Sequence, residues 1–240
     1  MVRFLLLSLI AISSFCFAGA PKAAAQMPDR AELLLKIESL RDQLKMKEAK
    51  FLAPSAEDLA AYSEFLKQPD TGMARLLPRE KYYQSLLIRG GGAYYSFAKL
   101  TNEYGYGSDI ELQQGKLQVG FAGADFGFLT SLGDVPIDAV IADQMGVRFL
   151  LSFSTPSLEP GARAEQRRAS EGFLADGFAY RNSLGASLNT TYALRSINYR
   201  ISDVLVAFRV TRQDTDGSLI LVWKVLRKFP VPQLQLASSQ

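Results

Sequence analysis

Five aromatic residues, Tyr94, Tyr95, Phe97, Tyr104 and Tyr106, fall within thirteen positions beside Asn102, Glu103, Ser108 and Asp109. A tyrosine ring carries a flat apolar face and a hydrogen-bonding tip at small cost in side-chain entropy, so such a cluster suits the capture of a sugar or a peptide. The Tyr104-Gly105-Tyr106-Gly107 stretch reads as a loop through its glycines. The expected ligand-binding residues are therefore Tyr94, Tyr95, Tyr104, Tyr106 and Asp109. The competing use of the same rings is the core of a β-domain, and sugar-binding modules favour tryptophan, of which the chain has one, Trp223.

A second chemistry belongs to the carboxylates. Glu103, Asp109, Glu111, Asp125 and Asp134 lie near the glycine-rich strands, and a facing pair of carboxyl groups can hydrolyse a glycosidic bond with neither histidine nor cysteine. Their order in the chain does not say which two would face each other. The chain has no histidine and a single cysteine, Cys16, so imidazole chemistry is excluded and thiol chemistry is confined to the first residues.

Other motifs fail on their context. Asp125-Phe126-Gly127 spells the metal-binding triplet of protein kinases, but a kinase catalytic loop requires a histidine. Ser96-Phe97-Ala98-Lys99 has the serine-to-lysine spacing of penicillin-recognising enzymes; on a strand, the structure expected here, a three-residue step points the two side chains to opposite faces. Asp214-Thr215-Asp216-Gly217 resembles the middle of a calcium loop, yet no acidic residue follows for several positions, so a turn with glycine in the left-handed region is expected. Gly90-Gly91-Gly92 lacks the lysine and following helix of a phosphate loop and reads as a bulge or sharp bend. Asn189-Thr190-Thr191 is a formal glycosylation sequon read here as strand. No cofactor and no metal site are expected.

The chain opens with Arg3, an apolar run from Phe4 to Phe17 and a small-residue end at Ala23-Ala24-Ala25. This is the pattern of a secretory signal peptide cleaved after Ala25. An earlier cut after Ala20 would place Pro21 first, lipidation at Cys16 meets the bulky Phe15 before it, and an uncleaved anchor is short of the roughly 20 residues of a spanning helix. Cleavage takes Arg3 and Lys22 out of the 27 basic residues, against 24 acidic ones, and brings the net charge from +3 to near +1. So even a balance offers no basic stripe for nucleic acid. With 48% hydrophobic residues, the remainder can bury a core without disulfides.

Two helices should come first. Leu33, Ile37, Leu40, Leu44 and Phe51 recur at steps near 3.5, with Lys47 interrupting the seam. After Pro54, Ser55 and Asp58 have the spacing of a capping box ahead of Leu59, Tyr62, Phe65 and Leu66, and Gln68-Pro69 closes the segment. Residues 69–83 read as an irregular connection. Period-two segments then predict strands at 86–89, 93–100, 109–113, 116–122, 126–132, 187–199, 204–211 and 219–226, with a further apolar run at 147–153 and a short exposed helix at 161–171. Val204, Val206, Phe208 and Val210 form one face of a half-buried strand, while Leu219 to Val225 is apolar on both faces apart from Lys224 and should lie inside the sheet.

The expected fold is α+β, mainly antiparallel β: two N-terminal helices followed by a β-sandwich or open barrel with one short inserted helix. The expected organisation is a leader at 1–25, a helical region at 26–68, a connector at 69–83, a β-rich domain at 84–232 and a disordered tail at 233–240. The expected function is that of a secreted or periplasmic, noncatalytic binding or structural protein of the cell envelope. Its partners would be an envelope ligand or protein and, through the helix at 30–50, a second copy of itself. The alternatives are a carboxylate-dependent glycan-active enzyme and an outer-membrane β-barrel, the latter lacking the usual terminal aromatic residue at Gln240.

Overall fold

A computed structural model describes residues 29–105 and 107–235. The leader, Tyr106 and residues 236–240 lie outside them. The chain divides into two compact units, one up to Ser39 and one from Leu40 onward. Helix α1 (Arg30–Leu52) starts where Asp29 accepts the Ala31 amide on its side chain, and it is built from strong helix formers. Its apolar stripe is largely open to solvent: Leu33 and Ile37 in the first unit, and Leu40, Leu44 and Phe51 in the second, are all exposed. Helix α2 (Ala56–Ala61) has the expected capping box, with Ser55 and Asp58 reciprocally bonded. It stops at Tyr62, and a single 3-10 turn at Phe65–Lys67 completes the segment.

Strand β1 (Thr71–Leu76) follows, then α3 (Arg79–Tyr82), β2 (Tyr94–Tyr95), β3 (Ile110–Gln113), β4 (Lys116–Gln118) and β5 (Phe126–Gly133). Helices α4 (Arg148–Ser152) and α5 (Glu159–Glu171) precede β6 (Phe173–Ala175), β7 (Phe178–Tyr180), β8 (Ser183–Gly185), β9 (Thr191–Asn198), β10 (Ser202–Gln213) and β11 (Leu219–Lys228). All sheet pairings are antiparallel, in the orders β1-β11-β10-β9-β5, β2-β3-β4-β8 and β6-β7. The fold is α+β, and no sheet of the described residues closes into a barrel. No helix among them is long and apolar enough to cross a membrane.

The second unit is layered around the five-stranded sheet. One face packs Leu194, Val206, Phe208, Leu221 and Trp223 against Phe97, Ile110, Leu112 and Leu117 of the smaller sheet and its turn. Phe126, Phe128, Ala193, Leu205, Ala207 and Val222 occupy the other face, beneath Leu150 of α4, Ala162 and Ala169 of α5 and Tyr180 of β7. Fully burying one large apolar side chain is worth about 1.5–3 kcal/mol, and both faces contribute many. Trp223 is core, as its strand context implies, and Gly72 of β1 makes room for it. A Cβ on Gly72 would lie 2.2 Å from the Trp223 ring.

Several expectations are corrected. The segment read as an irregular connection at 69–83 contains β1, which pairs with β11 from Thr71↔Lys224 to Leu76↔Leu219. The stretch 86–89 is turn, and the strand read over 93–100 ends at Tyr95, after which the chain folds back so that the Leu100 amide donates to the Ser96 carbonyl at 2.8 Å. The apolar run at 147–153 forms α4, a helix in addition to the expected one, and α5 buries Ala162 and Ala169. Strand β10 is buried on both faces because the helices cover the side that Asp203 and Arg209 mark as polar. The start of the segment read as a disordered tail is held in place: the Arg200 amide donates to the Pro232 carbonyl, and Gln235 exchanges backbone bonds with Ser157 and Glu159. Gly90, Gly91 and Gly92 do form a sharp bend. All three have positive φ, and a Cβ on Gly91 would lie 2.4 Å from the Tyr82 carbonyl oxygen.

Candidate functional site

Four residues of α1, Arg41, Lys45, Glu48 and Leu52, recur at the spacing that places them along one helix face. They line a cleft of about 680 Å3, opposite Met73, Ala74 and Arg75 of β1. Leu87, Ile88, Tyr95 and residues 100–103 complete its walls. This volume lies within the range of about 300–1,000 Å3 typical of ligand sites. Glu48 fixes the helix against the opposite wall, because its carboxylate accepts the backbone amides of Leu87 and Ile88. Leu52 is buried beside Gly92, whose missing side chain admits it: a Cβ there would stand 2.4 Å from a Leu52 methyl.

The charges of the cleft are unevenly committed. Arg75 donates to Asp214 at 2.9 Å, while its Nε–H is buried with no acceptor among the described residues. Glu103 pairs with Arg89 at 3.3 Å. Arg41 and Lys45 are exposed and enter no ion pair among the described residues. Asn102 stitches β1 to β2: its amide donates to the carbonyls of Arg75 at 2.9 Å and Tyr94 at 3.0 Å.

The tyrosines read from sequence are separated by the strand that carries them. Tyr94 and Tyr95 are adjacent on β2 and so point to opposite faces. Tyr95 forms part of the cleft wall and packs 5.3 Å from Phe97; burial pushes its hydroxyl up to about 12. Tyr94 is buried, with its ring 4.6 Å from Tyr104 and edge-on to Phe121 at 5.3 Å; burial, then the neighbouring Glu111, raises its pKa further. Tyr104 borders a separate cavity of about 90 Å3 beside Ser108 and Phe121. Tyr94 and Tyr104 are thus brought together, packed on each other and on Phe121, while Tyr95 turns to the cleft on the other face of β2. Tyr106 lies outside the described residues.

Asp109 is completely buried. It accepts the Phe97 amide at 2.7 Å, the Asn198 amide at 2.9 Å and the Ser96 hydroxyl at 3.4 Å. Burial pushes its pKa up to about 6, against the opposing pull of these donors. The remaining carboxylates are each held by a different group: Glu111 by Arg79 at 3.1 Å, Asp134 by Arg209 at 2.6 Å, and Asp125 by the Tyr199 amide at 2.9 Å. Asp214 and Asp216 are likewise taken, the first by Arg75 and Arg212, the second by Tyr82 and Ser218.

Sequence reasoning missed Arg41, Lys45, Met73 and Arg75 as site residues. The alternation of Met73 and Arg75 with Ala74 and Leu76 is a weak strand signal, obscured by Gly72 and the flanking prolines. Comparison with family models, curated proteins and solved structures finds no match.

Proposed function

We propose that the chain is a noncatalytic binding protein of the cell envelope, secreted or periplasmic, and that it binds its ligand in the cleft between α1 and β1. The observation that carries this reading is the wall of that cleft. Apolar side chains lie beside Arg41 and Lys45, two exposed cations outside any ion pair among the described residues. Apolar walls with a few polar groups are the usual composition of a ligand site. The separate partners of Glu103, Asp109, Glu111, Asp125 and Asp134 support binding over glycoside hydrolysis, which needs two carboxyl groups facing across one substrate.

The test is a thermal-shift screen of envelope glycans, peptides and fatty acids against the wild type and Ala49→Trp. Ala49 lines the cleft from an exposed helix position, so the indole fills the space without removing core packing. A ligand at one hundred times its Kd should raise Tm by about 5–10 °C. The shift should vanish in Ala49→Trp while the Tm of the unliganded variant stays close to wild type. Ligands whose effect survives that substitution would place binding elsewhere.

A further inference from the structure

The cleft has a wall of a kind that small-molecule sites do not require, the outer edge of β1. That strand terminates the five-stranded sheet, with β11 on one side only. Backbone groups alternate in direction along an antiparallel strand, and three bonds set the phase here. The Asp70 carbonyl accepts from Val225 on the β11 side, whereas the Arg75 carbonyl faces Asn102 and the Leu77 amide donates to Gly92 on the outer side. Odd-numbered residues thus turn their backbone groups outward. The N–H and C=O of Met73 and the N–H of Arg75 lie along the cleft wall, and no hydrogen bond among the described residues closes that stretch of edge. The opposite edge of the sheet is treated differently: Leu129 of β5 exchanges both backbone bonds with Arg181.

An open edge is a template for another chain, and native folds usually blunt it. We propose that the cleft takes an extended peptide, which adds to the central sheet as a further strand outside β1. The proposal rests on the reading of the cleft as the binding site and gives it a ligand class. Main-chain bonds to Met73 and Arg75 would supply affinity, and alternate side chains would supply selectivity. Exposed Leu87 and Leu100 on the cleft rim call for apolar residues. Arg41 and Lys45 are balanced in the lining by Asp42 and by Glu48, whose carboxylate is held by backbone amides, so the cleft favours a peptide that carries both polar and apolar side chains without a strong net charge.

The probe is a phage-displayed library of random heptapeptides, selected on the full-length mature protein with Ala49→Trp as the counter-selection. Enriched peptides are synthesised and remade with N-methyl groups on alternate residues, in either phase. Strand addition predicts that one phase of methylation weakens binding tenfold or more while the other has little effect. It also predicts a loss of at least tenfold in Met73→Pro, where proline removes an outward N–H and leaves the bonds to β11 intact. The methylated peptides are tested on the wild-type protein, so the inference does not depend on that variant folding. Peptides blocked by Ala49→Trp but indifferent to both phases would overturn strand addition and leave the cleft reading standing. Failure to enrich any peptide that Ala49→Trp excludes would also overturn it, and the small-ligand screen would then decide the cleft reading separately.

Discussion

Asp109 is a carboxyl group with no cation paired to it among the described residues. Amides and hydroxyls from Phe97, Ser96 and Asn198 surround it, and Asn198 in turn touches the hydroxyls of Ser196 and Ser202. Ionising it in this setting opposes folding. Its folded pKa, about 6, stands above the ordinary value near 3.8, so the native state holds a proton that the unfolded chain releases. The stabilisation is complete below about pH 4 and is lost as pH rises through 6, an effect on the order of 2–3 kcal/mol. Urea titrations from pH 4 to 7 should show this decline in the wild type and a flatter profile in Asp109→Asn. In that variant Asn198 turns its amide to offer oxygen to the new donor. An equal slope in both proteins would mean that Asp109 does not titrate as its surroundings require. The sequence placed Asp109 among tyrosines and suggested a ligand contact; its burial comes from Asn198, 89 positions away, which local pattern does not reveal.

At the scale of elements, one side chain ties the helical layer to the central sheet. Arg195 of β9 and Asp203 of β10 form a buried bidentate pair, both bonds 2.9 Å. The same guanidinium donates to the carbonyls of Leu150 and Phe153 at the end of α4, and it lies 3.7 Å from the ring centre of Phe229. Removing one member of a buried pair strands the other charge, so Arg195→Met should cost about 3–5 kcal/mol in denaturant unfolding. Adding Asp203→Leu should recover most of that loss. A single variant as stable as wild type would show that the pair is dispensable. The hairpin of β10 and β11 was legible in sequence because β10 alternates regularly, β11 is a nearly continuous apolar run, and Asp214-Thr215-Asp216-Gly217 marks the turn between them. Helix α4 was not, since the five apolar residues of the run at 147–153 fit a buried strand as well as a helix turn, and β1 was hidden by the glycine that Trp223 demands.

For the whole molecule, envelope location and self-association are proposals with a common sample. The protein recovered from its own host should begin at Gln26 by mass spectrometry and stay soluble on carbonate extraction. Its sedimentation should report a dimer that Leu40→Glu with Leu44→Glu returns to a monomer, since both leucines are exposed on α1. Retention in the membrane, or an intact leader, would overturn the location. A monomeric wild type would overturn the association.

The placement of β11 between β1 and β10 also bears on when this chain can fold. Asp70 and Lys228, which meet at the end of the β1–β11 ladder, are 158 residues apart. A chain emerging from the ribosome holds β1 long before it holds the strand that must separate β1 from β10. The central sheet therefore stays incomplete until synthesis has passed Lys228, and so many distant pairings make its closure slow. A nascent chain of this topology remains threadable for most of its synthesis, the state in which a channel that passes only unfolded polypeptide can carry it.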